Sequence, residues 1–218
     1  MVSFELNELA ATLAHEVKNP VSLIKANIDL IKADKDFELY NKQFSVIYKQ
    51  LNKIDSIISD YTLLCKSFDN KERIYISDLI YDVIEEYDIS LKNKRIVFEI
   101  DSDKDCEDLT VIGDYSKLSI LFFNIIKNAV EAIDGEGLIK TKISKREGEV
   151  IIEILDNGCG INEEIKDKID VPFITSKPNG SGLGLSICKS IINEHNGKML
   201  LENIDGGGCR VEIALKSA

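Results

Sequence analysis

Two asparagines one helical turn apart, an aspartate beside glycines and a second glycine cluster just before a helix are the residues of this 218-residue chain best suited to grip a polyanion. Asn124 and Asn128 share a helix face with Leu121, Phe122, Ile125 and Ile126 close by, so two amides beside an apolar stripe need partners. Carboxamide oxygens are hard ligands suited to Mg²⁺, and amide nitrogens donate to phosphate oxygens. Surface asparagines bonded to their own helix backbone would give the same spacing. Asp156-Asn157-Gly158-Cys159-Gly160 follows a buried-looking strand, and Gly180-Ser181-Gly182-Leu183-Gly184 precedes a helix. Glycine allows tight turns and close approach, while a helix N-terminus offers unpaired amides and a positive dipole end. Neither cluster is a GxxxxGK[ST] loop, and no glycine triplet fits GxGxxG. Taken singly, each such cluster is more often an ordinary turn than a nucleotide site.

A candidate nucleophile stands far from these residues. The chain has two histidines, and one lies in His15-Glu16-Val17-Lys18-Asn19-Pro20. A heptad places Ala10, Val17, Ile24 and Ile31 at one core position and Leu6, Leu13, Pro20 and Asn27 at the other. His15 then falls outermost, with Glu16 beside it and Asn19 one turn on, so imidazole, carboxylate and amide face solvent together. Pro20 should bend the helix just after this group. Read alone, the segment is equally a solvated face carrying an incidental histidine. His195, before Asn196-Gly197 at a helix end, reads as structural.

The elements that must hold these groups belong to a globular chain. With 44 % hydrophobic and 30 % charged residues, it has room for one large or two small domains. Cys65, Cys106, Cys159, Cys188 and Cys209 are scattered without CxxC spacing, which predicts reduced structural thiols rather than a disulfide framework or zinc site. A net charge of -11 disfavours nucleic acid and anionic membrane surfaces as partners. Lys140, Lys142, Lys145 and Arg146 alternate with apolar residues and read as the wet face of a strand. No apolar run approaches membrane-spanning length, the richest being Leu118 to Ile126, and no signal-peptide pattern opens the chain. A soluble, cytoplasmic protein is expected.

Periodicity changes near Ser67 to Arg73. Before it, Phe44, Ile47, Leu51, Ile54, Ile58, Tyr61 and Cys65 form a second heptad series. The two helices should make an antiparallel hairpin joined around Asp34 to Phe37. Such a hairpin exposes most of its apolar stripe, so two chains forming a four-helix bundle, a homodimer, is the economical solution. The alternative packs the stripe against the chain's own C-terminal half. Beyond the boundary, Ser77 can cap a helix to about Leu91, and Asp114 opens a strong helix through about Ile133. A third should run from Gly182 or Leu183 to His195. Strands are predicted at Ile96 to Ile100, Leu109 to Ile112, Leu138 to Ser144, Val150 to Leu155, Lys198 to Glu202 and Arg210 to Leu215. Helices on one face of a mixed or antiparallel sheet make an α+β sandwich the natural architecture.

In this order the residues resemble the catalytic core of a bacterial sensor histidine kinase. His15 to Pro20 matches the phosphoacceptor box, Asn124-Ile-Ile-Lys-Asn128-Ala-Val-Glu-Ala the N box, and Asp156 to Gly160 the G1 box. Pro172-Phe-Ile-Thr-Ser-Lys177 matches the F box and Gly180 to Gly184 the G2 box. The resemblance spans nearly the whole chain. It implies a dimerisation and histidine-phosphotransfer hairpin over residues 1–68, forming a dimeric four-helix bundle. An α/β sandwich ATP-binding domain over residues 73–218 would follow, of the type shared with DNA gyrase and mismatch-repair ATPases (the Bergerat fold).

The roles it implies are chemically coherent. Asp156 would accept a hydrogen bond from the adenine exocyclic amine, where guanine presents a carbonyl. Gly158 and Gly160 would admit the base. Asn124 and Asn128 would hold Mg²⁺ and the phosphates, either amide being the direct metal ligand. Lys177 would neutralise developing γ-phosphate charge, with Thr175 nearby in the same box, and Gly180, Ser181, Gly182, Leu183 and Gly184 would cradle the triphosphate. His15 Nε2 would attack while Glu16 orients or deprotonates the ring. The phosphohistidine would pass its group to an aspartate of a response-regulator receiver domain, and Asn19 would position water for dephosphorylating that partner. A non-catalytic phosphorelay or scaffold dimer is the alternative. Asp170-Val171 stands where the family usually has Phe-Glu, and the short Gly160 to Gly180 segment suggests a compact lid. Little precedes His15, so either the chain is part of a longer one or its signal comes from another protein.

Overall fold

The computed structural model describes residues 17–31, 40, 42–51, 54, 57–58, 70–88, 95–102, 109–163, 168, 171–172, 174–175 and 182–218. Residues 17–31 form α1 and residues 42–51 form α2. On α1 the heptad residues are the covered ones: Pro20 is buried, and Val17, Ile24, Asn27 and Ile31 are half-buried. Val21, Leu23, Ile28 and Leu30 are exposed.

On the second helical stretch the expected heptad residues are partly covered and partly open. Ile47 and Ile54 are half-buried and Phe44, Leu51 and Ile58 are exposed, while Gln43, Val46 and Gln50 are half-buried and Ile57 is buried. The turn expected at Asp34 to Phe37 lies outside the described residues.

A strand that the sequence reading did not contain, β1 (Lys71–Tyr75), opens the remainder and pairs antiparallel with β3 (Thr110–Asp114). It is short, charged and edge-exposed, so its only apolar anchor is buried Ile74, and no alternation announces it. The chain passes straight into α3 (Ile76–Asp88), whose first N–H donates to Leu109 O at 3.1 Å. Ser77 therefore lies inside the helix, its hydroxyl bonding Asp78 rather than capping. The expected extension to Leu91 lies outside the described residues.

The main sheet comprises β2 (Arg95–Ser102), β4 (Glu136–Arg146), β5 (Glu149–Asp156), β6 (Lys198–Asn203) and β7 (Cys209–Lys216), in the order β2-β4-β5-β7-β6. Only β2 with β4 is parallel, so the sheet is mixed. One face supplies Ile139, Ile143, Ile152, Ile154, Val211 and Ile213 to a core shared with α3, α4 (Tyr115–Ala132) and α5 (Gly184–Glu194). The opposite face carries cross-strand charge, including Arg210 against Glu153, Glu202 and Glu212, and Lys140 against Glu99. This is the expected helix-on-sheet layering. Leu118, Leu121, Phe122 and Ile126 of α4 are fully buried, each contributing about 1.5–3 kcal/mol of apolar burial, which makes α4 the rigid axis of the layer.

Candidate functional site

Asp114 fixes where α4 begins, its carboxylate accepting the Lys117 N–H at 3.0 Å. From that start the two asparagines are half-buried on the helix side. Asn124 Nδ2 donates back to Ile120 O at 3.1 Å, as the plain surface reading expects. Its Oδ1 faces the first residue of α5: a Cβ on Gly184 would stand 3.2 Å from it. Asn128 lies one turn nearer the C-terminal end of α4, where the helix meets the first glycine cluster through Cys159 N–H to Ala132 O at 3.0 Å.

The aspartate closing β5 is 8 % exposed and held rigidly. Its Oδ1 accepts the N–H groups of Gly158 at 2.9 Å and Cys209 at 3.3 Å. Asn157 Oδ1 accepts the Leu138 N–H at 2.9 Å, tying the turn to β4. A Cβ on Gly158 would lie 2.6 Å from Ala132 O, and Gly160, at φ +72°, would set one 2.8 Å from Asn203 Oδ1. These glycines are thus required by the chain's own close packing, a reason independent of any ligand.

α5 begins at the second glycine cluster. Gly182 has φ +70°, Leu183 is fully buried, and among the described residues no side chain caps the helix N-terminus. Its first amides and positive dipole end are therefore available to an anion, beside the Asn124 oxygen. Thr175 and Asn19 are exposed. His15, Glu16, Lys177, Gly180 and Ser181 lie outside the described residues. So do Cys65 and Cys106.

Two contributors were not singled out in the sequence. Gly208, the last of three glycines between β6 and β7, has φ +100°, and a Cβ there would stand 2.0 Å from Asp156 O. Asn203 bonds the backbone leaving the first cluster. A glycine run before a strand could have flagged the former; a lone asparagine ending a strand carries no signal. Two thiols near the site, Cys188 and Cys209, are buried and disfavoured as thiolates. Burial pushes Cys188 up to about 12, and burial followed by the negative charge of Asp156 pushes Cys209 up to about 11. Among the described residues no cluster of three or more His, Cys, Asp or Glu could hold a metal, and no helix is long and apolar enough to cross a membrane.

Comparison with known proteins gives two family matches. The family described as Histidine kinase-, DNA gyrase B-, and HSP90-like ATPase matches residues 113–218, and the His Kinase A (phospho-acceptor) domain matches residues 5–66. Sporulation kinase C of Bacillus subtilis (strain 168) is 30 % identical over 213 residues, covering 96 % of this chain and 48 % of that protein. Sporulation kinase A of the same organism is 31 % identical over 209 residues, covering 95 % of this chain and 34 % of that protein. The chain thus spans about half or less of these relatives' length. The solved catalytic domain of histidine kinase ThkA is 32 % identical with a TM-score of 0.61, over 68 % of this chain and 96 % of that one. The structure of ThkA in complex with response regulator protein TrrA is 29 % identical with a TM-score of 0.79, over 98 % of this chain and 62 % of that one.

Proposed function

The chain belongs to the histidine kinases, and from that premise we propose that it binds ATP between α4, α5 and the Asp156 turn, phosphorylates His15, and passes the phosphoryl group to an aspartate of a response-regulator receiver domain. The observation that carries the nucleotide reading is the meeting of the Asn124 oxygen with the uncapped start of α5, on the same helix whose far end receives the turn after Asp156. A base held by Asp156 and a triphosphate running along α4 to α5 fits that arrangement.

The donor set also suits Mg²⁺. Asn124 Nδ2 is spent on Ile120 O, which turns the neutral, hard Oδ1 toward α5. Mg²⁺ takes few protein oxygens and completes its shell with phosphate and water, so Asn124 or Asn128 with the triphosphate is a sufficient site. When bound, the ion would neutralise phosphate charge. The chain's own residues do the rest: Asp156, fixed by two amides, selects adenine; the α5 amides bind phosphate; Lys177 offsets charge on the transferred group; Glu16 orients His15 so that Nε2 keeps its lone pair for attack.

Residues 1–68 would supply the histidine hairpin, with the ATP-binding domain after it starting at β1. We read the exposed stripe of Phe44, Leu51 and Ile58 as the homodimer face, since a four-helix bundle would bury it. ThkA is described in complex with a response regulator protein, which supports a receiver domain as partner here. Exposed Asn19 suits a second, phosphatase activity toward that partner, and the setting is cytoplasmic. Asp156→Asn tests the binding step. The amide oxygen can keep both backbone bonds, so the fold should survive, while the amide nitrogen opposes the adenine amine; ATP affinity should fall about a hundredfold. Unchanged affinity would remove Asp156 from the site, and no ATP binding by the wild type with Mg²⁺ present would favour the scaffold.

A further inference from the structure

We infer that Asn203 is a positioning residue for the nucleotide: its side chain holds the Asp156 to Ile161 turn in the form that receives adenine, an inference that rests on the ATP-binding reading. Asn203 ends β6, where its backbone pairs with Cys209 in the antiparallel ladder with β7. Beyond it the chain turns away, with Ile204 N–H bonding Gly208 O at 3.1 Å. The side-chain amide continues the ladder sideways. Oδ1 accepts the Ile161 N–H at 2.6 Å and Nδ2 donates to Ile161 O at 3.0 Å, the reciprocal pair that one strand residue exchanges with another. The second Nδ2 hydrogen goes to Glu163 Oε1 at 2.8 Å, so both donors of the amide are used.

The same rung of the sheet holds the other end of the turn. Cys209, the ladder partner of Asn203, donates its N–H to Asp156 Oδ1. The turn is therefore closed across a single pair: Asp156 through the Cys209 backbone and Ile161 through the Asn203 side chain. Gly160 is what admits the clamp, because a Cβ there would collide with Asn203 Oδ1. Asp156 must present its carboxylate in one orientation to select a base, and a turn tied at one end only would let that orientation spread. The phosphate end of the site, at Asn124 and α5, is held separately. Asn203 thus governs affinity for the base and leaves phosphoryl transfer from bound ATP unaffected.

The test is nucleotide titration of the full chain with Mg²⁺ and a non-hydrolysable ATP analogue, alongside histidine labelling at saturating ATP. Asn203→Ala should weaken binding about tenfold, the effect of losing the reciprocal pair, while the saturated labelling rate stays within about threefold. Glu163→Ala leaves both Ile161 bonds and should bind within about twofold of wild type. Hydrogen exchange at the Ile161 amide should be slow in the wild type and fast in Asn203→Ala. Wild-type affinity in Asn203→Ala, equal weakening in Glu163→Ala, or fast Ile161 exchange in the wild type would each overturn the inference alone. A wild type that binds no nucleotide would instead overturn the ATP-binding reading, and this inference with it. If Asn203→Ala does not fold, wild-type Ile161 exchange and the Glu163→Ala titration decide.

Discussion

His195 Nε2 accepts the backbone N–H of Asp114 at 3.1 Å, joining the end of α5 to the cap of α4. Nδ1 stands 2.7 Å from Ile191 O, which places the ring proton on Nδ1 and leaves Nε2 as the acceptor. Beside it, Lys117 at the start of α4 pairs with Glu194 at the end of α5. Gly113 gives the ring its space, since a Cβ there would come within 2.7 Å of it. The two helices are clamped at this end, and Asn124 and Gly184 meet nearer the other.

Replacing His195 by Ala should remove the acceptor from the Asp114 amide and cost about 1–2 kcal/mol of stability. Urea denaturation should show a lower midpoint with unchanged slope. His195→Asn, able to keep an acceptor but not the reach, should fall between. Labelling of His15 should persist in both folded variants, because neither touches the nucleotide.

The buried thiols and Tyr115 make the fold sensitive to alkali. Cys188 is raised from 9.0 to about 12 by burial and Cys209 from 9.0 to about 11 by burial and Asp156. Tyr115, bonded to Asp82, is raised from 10.0 to about 12. A folded-state pKa above the unfolded value means stability is full below the unfolded pKa and is lost as pH rises through the folded one. The urea midpoint should therefore hold up to about pH 9 and then decline toward pH 11 to 12. At neutral pH an alkylating reagent should modify exposed Cys159 and spare Cys188 and Cys209 until the chain unfolds.

Much of the helix-on-sheet layer was legible because its elements are long and strongly patterned. The Asp114 cap, the run from Leu118 to Ile126 and the Asn196-Gly197 stop each announce one helix end or body, and all stand where periodicity puts them. What escaped has a common physical character. β1 carries mostly charge, and Ser77 lost its expected cap because a strand feeds α3 directly. At the site, Asn124 meets Gly184 and the turn after Asp156 reaches α4, but their supports carry no motif. Asn203, Gly208 and the His195 bond to Asp114 act across the fold between residues far apart in sequence, where no spacing rule reaches.

The open face of the second helical stretch predicts its own disruption. Phe44, Leu51 and Ile58 are 52 %, 45 % and 51 % exposed at heptad spacing. Leu51→Asp places charge in the middle of that stripe and should convert a dimer to monomer, read by sedimentation at micromolar concentration, while leaving ATP affinity unchanged. A dimer undisturbed by Leu51→Asp would move the interface to another face.

In the proposed reaction, ATP bound at the Asp156 turn and α5 phosphorylates His15. Incubation with γ-labelled ATP and Mg²⁺ should give acid-labile, base-stable label on the wild-type chain and none on His15→Gln, although that variant binds ATP with wild-type affinity. Label retained in His15→Gln, or a wild type that binds ATP yet takes up no label, would contradict it.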